Sequence, residues 1–106
     1  MLSDKEFIKS RIAQIRGSKN ISARSLSLEL GMSSEYINQV ENGRLNPSLD
    51  FLLNFCYYFK ISIGEFFDEN NAFPIEYQSL IKELNKLNQT ELNQILELVK
   101  LINSKK

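Results

Sequence analysis

The sequence predicts an all-α protein, in which a compact helical domain is followed by a helical hairpin. Apolar residues recur at steps of three and four over most of the chain, which is the period of an amphipathic helix. Serine, glycine and proline stand between these segments, at positions where helices start and stop. No segment has the alternation of a β-strand. A chain of 106 residues is therefore expected to form one small helical domain with an appendage.

Composition narrows the possible functions. The chain has one cysteine and no histidine, so we expect no internal disulfide, no zinc site and no histidine-based catalysis. We predict no catalytic residues, no metal, no cofactor and no enzymatic activity. The N-terminus lacks a continuous apolar block, and no apolar run has the length of a bilayer, which favours a cytoplasmic protein without a membrane partner.

The charge balance bears on nucleic-acid binding. The net charge is zero, with 13 basic and 13 acidic residues, whereas nucleic-acid-binding domains are usually basic. Residues 1–49 hold seven basic and five acidic side chains, which is only a small excess. We therefore expect weak non-specific affinity for DNA and a reliance on specific contacts and on a dimer.

The first predicted helix covers residues 4–17. Ile8, Ile12 and Ile15 share one of its faces, and Ser3 or Asp4 can cap its N-terminus.

Two shorter helices, joined by a tight turn, are predicted within residues 22–43. Ser22 is expected to cap the first, and Gly31 to end it, because glycine readily takes the positive φ required past a last turn. Ser33 is expected to cap the second, which Asn42 and Gly43 end. Polar residues occupy the outer face of this second helix, and such side chains can pair with base edges in the major groove.

A fourth helix is predicted over residues 49–59, capped by Ser48 after the helix-stopping Pro47. Its apolar residues divide into one face with Leu49, Leu52, Leu53, Cys56 and Phe59, and a second stripe with Phe51, Phe55 and Tyr58. Cys56 is expected to be a buried, inert thiol. A short helical turn at residues 64–67 completes this half.

These residues resemble the helix-turn-helix of the Cro/repressor-type (XRE-like) bacterial and phage regulators over about residues 7–67. The positions that match at the family's spacing are Leu26, Gly31-Met32-Ser33, Ile37, Val40-Glu41-Asn42-Gly43 and Asn46-Pro47-Ser48. The resemblance implies a five-helix lambda-repressor-like DNA-binding domain at residues 1–67. Two positions depart from the pattern. Ala23 replaces a glutamine that commonly contacts phosphate, and Ser27 replaces a small alanine where the two helices cross.

The resemblance also assigns residues to DNA, because the early turns of the family's second short helix enter the major groove. The implied base-reading residues are Ser34, Glu35, Tyr36, Asn38 and Gln39. The implied phosphate contacts are Ser22, Arg24, Ser33, Asn42 and Arg44. The alternative interpretation of Tyr36 is a residue that only packs against the helix. The alternative interpretation of Arg24 and Arg44 is that they only keep the surface soluble.

Arg16 and Glu41 match a recurring Arg–Glu pair of the family, which ties the first helix to the end of the recognition helix. Two unrelated surface charges are the alternative interpretation of these residues.

The last third of the chain predicts a polar linker at residues 68–74 and an αα-hairpin at residues 75–106, with Thr90 capping its second helix. The apolar arc of this last helix consists of Leu92, Ile95, Leu96, Leu98, Val99, Leu101 and Ile102. Burying a leucine is worth roughly 1.5–3 kcal/mol. We therefore expect this arc to hold a homodimer or to bind another protein. The alternative is that the hairpin folds back on the stripe of Phe51, Phe55 and Tyr58.

The sequence as a whole predicts a sequence-specific, double-stranded DNA-binding transcriptional regulator. We expect a dimeric repressor of a two-fold symmetric operator. The alternative is a protein-binding regulator of the same fold, either antitoxin-like or controlled by a regulatory protein at its C-terminal hairpin, with DNA binding secondary.

Overall fold

The computed structural model describes residues 4–106, which form seven helices and no strand. The helices are α1 (Asp4–Ser18), α2 (Ala23–Glu29), α3 (Tyr36–Glu41), α4 (Leu49–Phe59), α5 (Ile63–Phe67), α6 (Pro74–Leu84) and α7 (Gln89–Ser104). The predicted all-α class is confirmed. The chain divides into two compact units, one ending at Ile75 and one covering Glu76–Lys106. The predicted cap Ser3 lies outside the described residues.

The core of the first unit takes side chains from α1 to α5 and from the first turn of α6. Phe55 is fully buried, and its ring centroid lies 6.2, 4.8 and 5.9 Å from those of Phe51, Phe59 and Phe66. Aromatic pairs at such distances add to the stabilisation from burial alone. Ile75 is also buried in this core, so the first unit extends beyond the polar segment 68–73.

The faces of α4 differ from those that the sequence indicated. Phe51 and Phe55 are buried with 4% and 0% exposure, whereas Leu49 and Leu53 are 65% and 46% exposed. The core side of α4 is therefore Phe51, Leu52, Phe55, Cys56 and Phe59. Phe51 and Phe55 belong to the core of the first unit, whereas Tyr58 is 37% exposed.

Cys56 is buried, as expected. Burial and the nearby charge of Glu65 raise the pKa of its thiol to about 11, and a protonated thiol is a poor nucleophile.

Local chemistry at the helix ends explains where most helices begin and stop. Ser22 and Ser48 accept hydrogen bonds from the N–H groups of Ser25 and Phe51, at 3.0 and 3.1 Å. Gly31 has a φ of 75°, and the N–H of Met32 donates to the carbonyl of Ser27 at 2.9 Å. This is the Schellman arrangement, which satisfies carbonyls at the end of a helix.

Two predicted caps are wrong. Ser33 does not cap α3, which begins at Tyr36 after a turn in which the N–H of Tyr36 donates to the carbonyl of Ser33. In the second unit, α7 is capped by Asn88 instead of Thr90. The side chain of Asn88 accepts from the N–H of Glu91, whose carboxylate accepts from the N–H of Asn88. Because of this reciprocal capping box, α7 begins at Gln89, before the residue that was predicted to cap it.

The second unit leaves α7 exposed along its whole length. None of its residues is buried, and the side chains of the apolar arc are between 37% and 54% exposed. The arc runs down one side of a 16-residue helix. Within residues 4–106 no helix is both long and apolar enough to cross a bilayer.

Candidate nucleic-acid interface

The six-residue helix α3 is too short to be stable by itself, and α1 and α2 hold it by packing against it. Ile37 and Val40 point into the core with 0% and 1% exposure. These two side chains fix which face of α3 is turned outward.

Ser27 joins α2 to the start of α3. Its side chain is fully buried, and its hydroxyl donates to the carbonyl of Ala23 at 2.7 Å while accepting from the N–H of Ile37 at 3.0 Å. The first N–H groups of a helix have no partner inside the helix. The hydroxyl of Ser27, on the neighbouring helix, supplies the missing acceptor for the N–H of Ile37. This role was not anticipated from the sequence.

Arg16 joins α1 to the end of α3. Its Nε and Nη2 atoms donate to the two carboxylate oxygens of Glu41 at 2.7 and 2.9 Å, and Nη1 donates to the carbonyl of Ile21 at 2.9 Å. The hydrogen bond to Glu41 raises the pKa of Arg16. A two-pronged contact of this kind fixes orientation as well as distance.

The C-terminal end of α3 is closed by a second Schellman arrangement. Gly43 has a φ of 82°, and the N–H of Arg44 donates to the carbonyl of Gln39 at 2.9 Å. The side-chain oxygen of Asn42 also accepts from the N–H of Arg44, at 3.1 Å. The loop that follows α3 therefore leaves in a defined direction.

The outward face of α3 carries the polar side chains that the sequence assigned to bases. Glu35, Asn38 and Gln39 are exposed and Ser34 is half-buried. Asn38 makes a long hydrogen bond of 3.4 Å to the carboxylate of Glu35. Both ends and the inner face of α3 are fixed, so the direction in which this polar face points is fixed as well.

Tyr36 differs from these four residues. Its ring lies 4.7 Å from that of Phe51, and it packs against the core. Burial raises the pKa of Tyr36, against a smaller effect of a hydrogen bond with the backbone of Ser48. This position favours the packing alternative for Tyr36.

Comparison with known families bears directly on this arrangement of two helices and a turn. A helix-turn-helix family model matches residues 12–66, which is just over half of the chain. The chain belongs to the XRE-like helix-turn-helix family. Among curated proteins and among solved structures, no match was found.

As an XRE-like protein, the chain is a DNA-binding helix-turn-helix regulator. The family is a regulatory one whose members are not typically enzymes. In family terms α3 is the recognition helix, and the matched range contains all the contacts from Arg16 to Gly43 described above.

The residues that the sequence assigned to phosphate lie on either side of the recognition helix. Ser22, Arg24 and Ser33 are exposed before it, and Asn42 and Arg44 after it. Two of them already have partners inside the chain. The hydroxyl of Ser22 is hydrogen-bonded to the N–H and hydroxyl of Ser25, and the side-chain oxygen of Asn42 holds the N–H of Arg44.

Two lysines of α1 lie beside the loop after the recognition helix, although the sequence did not single them out. Lys5 and Lys9 line a groove of about 370 Å³ together with Gly43, Asn46 and Pro47. The ammonium of Lys9 is 3.6 Å from the point where a Cβ on Gly43 would lie. A cation there is favourable near the C-terminal end of α3, although Glu6 lines the same groove and its carboxylate lies 3.5 Å from the ammonium of Lys9.

Arg11 is a further residue that sequence reasoning missed. It is only 5% exposed, and its guanidinium donates to the carbonyls of Phe66, Glu65 and Asp68 at 2.7, 3.0 and 2.8 Å. Burial lowers the pKa of Arg11, partly offset by the charge of Asp68. α1 thereby fixes the end of α5, and Arg11 adds nothing to the charge available for DNA.

Proposed function

We propose that this XRE-like protein is a sequence-specific regulator that reads double-stranded DNA in the major groove with the outer face of α3. The observation that carries the proposal is the combination of an exposed polar face with an anchored helix. Ser27, Arg16 and Gly43 fix the two ends of α3, so little conformational entropy remains to be lost on binding. Preorganisation of this kind raises affinity without added contacts.

The side chains of this face suggest which bases they read. Asn38 and Gln39 have amides that can pair with N6 and N7 of adenine, and Ser34 can pair with either kind of base edge. Glu35 can accept from N4 of cytosine, but its charge repels phosphate, so it favours selectivity over affinity. Tyr36, which packs on Phe51, is proposed to support the helix.

Phosphate contacts are proposed on both flanks of α3. Arg24, Ser22 and Ser33 would bind one stretch of backbone, and Arg44 and Asn42 the next. Contacts of this kind fix the register of the protein on the duplex without reading its sequence. Only Arg24 and Arg44 are cations among these proposed contacts, so we expect a shallow salt dependence for a DNA-binding protein.

We further propose a homodimer held by α7 within residues 75–104. The apolar arc from Leu92 to Ile102 is exposed along the helix, and a two-fold axis brings one such surface against its own copy. A dimer reads two half-sites about 34–36 Å apart, which compensates for the few base contacts of one short helix. A repressor that occupies an operator in this way needs no further activity.

The exposed arc also supports a second candidate function, in which another protein covers α7 and thereby controls the regulator. The zero net charge of the chain favours this alternative. A neutral chain has little sequence-independent attraction to DNA, so binding to a protein would account for more of its function. In that case the DNA-binding unit would be secondary.

Selection of bound sequences from random duplex DNA tests the proposal. We expect enrichment of a two-fold symmetric consensus whose half-sites are one helical turn apart. A single asymmetric consensus would contradict the dimer while keeping the DNA reading. An unenriched pool at low salt would overturn the DNA reading and leave the protein-binding alternative.

A further inference from the structure

The outer side of α4 carries a second apolar surface, which the proposed function does not use. Leu49, Leu53 and Tyr57 are 65%, 46% and 86% exposed. They are spaced four residues apart on an 11-residue helix, so they form one continuous line on its surface. We name this line the α4 outer stripe.

The core does not require the α4 outer stripe. The opposite side of α4, from Phe51 to Phe59, supplies the buried side chains of this helix. A single exposed leucine needs no explanation, but three aligned side chains that end in an almost fully exposed tyrosine resemble the centre of a protein interface, where tyrosine is enriched and charged residues are depleted.

The charges at the two ends of α4 indicate what this surface would contact. Asp50 lies at its N-terminal end and Lys60 directly follows its C-terminal end, and neither forms an ion pair within residues 4–106. A second α4 that runs antiparallel, with Leu53 on a two-fold axis, brings Leu49 of one copy opposite Tyr57 of the other. The same arrangement brings the acidic end of each helix beside the basic end of its neighbour, and the two helix dipoles oppose each other favourably.

The size of the stripe sets the strength of the contact. Three such side chains from each copy bury on the order of 800 Å² in total, which is below the ~1,200–2,000 Å² of stable specific complexes. The contact would therefore form only at high local concentration.

We propose that the α4 outer stripe is a weak homotypic contact, in which a second copy of this chain binds antiparallel through Leu49, Leu53 and Tyr57. It is distinct from the α7 interface, so it joins dimers into larger assemblies. The extension to copies bound at neighbouring DNA sites, where the local concentration is high, rests on the proposed function.

Sedimentation velocity of the full chain over a wide concentration range tests the contact without DNA. Leu53→Glu and Tyr57→Glu should each raise the concentration of half-association into the larger species by about tenfold or more. Leu28→Glu is the matched control, since Leu28 is a 54% exposed leucine of α2 and the added charge is the same. Its assembly should equal that of the wild type.

A charge exchange tests the antiparallel geometry. Asp50→Lys and Lys60→Asp should each weaken the association, and the double variant should restore it. Aspartate tolerates the left-handed conformation of position 60, and circular dichroism verifies folding of each variant. No restoration, equal behaviour of the stripe variants and Leu28→Glu, or a single assembly state of the wild type at every concentration would each overturn the proposal.

Binding to a duplex with one selected operator separates this proposal from the proposed function. The stripe variants should keep the single-operator affinity of the wild type and lose cooperativity only on a duplex with two adjacent operators. Loss of single-operator affinity would overturn the assignment of the stripe to contacts between copies. A wild type that binds no selected duplex would count against the proposed function, whereas the sedimentation result would still decide the homotypic contact.

Discussion

At the scale of single residues, three polar side chains connect helices of the first unit. Ser27 bonds α2 to α3, Arg16 bonds α1 to α3, and Arg11 bonds α1 to the end of α5. Each of them is matched by acceptors or donors inside the chain. A buried polar group is tolerated when its hydrogen bonds are made, and it is costly when a partner is removed.

Removing the Ser27 hydroxyl tests the first of these connections. Ser27→Ala leaves the buried N–H of Ile37 without its acceptor, so we expect a loss of about 1–2 kcal/mol in the free energy of unfolding. Urea denaturation measures it. Ser10→Ala, at an exposed position of α1, is the control and should change stability by less than about 0.5 kcal/mol. Equal stability of both variants would mean that water or a shift of α3 replaces the hydroxyl.

The ion pair between Arg16 and Glu41 is tested by a double-mutant cycle. The two side chains are 23% and 15% exposed, so solvent screens the pair only in part. We expect Arg16→Ala and Glu41→Ala each to cost about 1–2 kcal/mol, with a coupling energy above about 0.5 kcal/mol. The more exposed pair of Lys9 and Glu6 should couple by only about 0.2–0.5 kcal/mol. Additive effects of the two Arg16 and Glu41 substitutions would contradict the role assigned to the pair.

At the scale of elements, the proposed function assigns base reading to the outer face of α3 and phosphate binding to residues on its flanks. We expect Gln39→Ala to cost about 1–3 kcal/mol on the selected operator and to relax preference at one or two base pairs of each half-site. Arg44→Ala should weaken all duplexes alike and reduce the slope of affinity against salt. Fluorescence anisotropy on cognate and scrambled duplexes at several salt concentrations separates these outcomes. A uniform loss in both variants would mean that Gln39 contacts backbone instead of bases.

Sequence patterns predicted the elements well where local chemistry decides them. Ser22, Gly31 and Gly43 each set a helix end through contacts within a few residues, so α2 and the end of α3 could be predicted. The faces of α4 could not, because nearly every residue from Leu49 to Phe59 is apolar and periodicity then cannot select the buried side. The start of α3 was predicted too early because serine at position 33 is a good cap by type, whereas a backbone turn satisfies the helix start.

At the scale of the whole molecule, contacts between residues far apart in the chain could not be predicted from the sequence. Arg11 lies on the same helix as Ile8, Ile12 and Ile15, and an arginine among them is normally assigned to solvent. Its partners are backbone carbonyls more than fifty residues away. Every residue has a backbone carbonyl, so residue types cannot identify these acceptors. The Arg16–Glu41 contact could be anticipated only because the family resemblance supplied it.

The proposed dimer is tested by charges placed in the apolar arc of α7. Leu98→Asp together with Val99→Asp should make the chain monomeric and greatly reduce operator affinity, because burying charged groups without partners is unfavourable. Asn93→Asp, on the polar side of α7, is the control. Light scattering and DNA titration give the two readouts. A chain cut at Asp68 is less suitable, because it also removes the buried Ile75 from the first core.

A dimer that survives both α7 substitutions would place the two-fold axis outside the apolar arc of α7. A monomer that keeps full operator affinity would contradict the need for two half-sites.

The residues of α3 that face the core differ from those that face outward, and this separation affects how such a regulator can evolve. Ile37 and Val40 hold the helix in place, whereas Glu35, Asn38 and Gln39 face outward and contribute nothing to the core. Substitutions at the outward positions can therefore accumulate without crossing the threshold of stability below which a protein is lost. A duplicated gene could acquire a new operator in a few mutational steps, each of them through a folded protein.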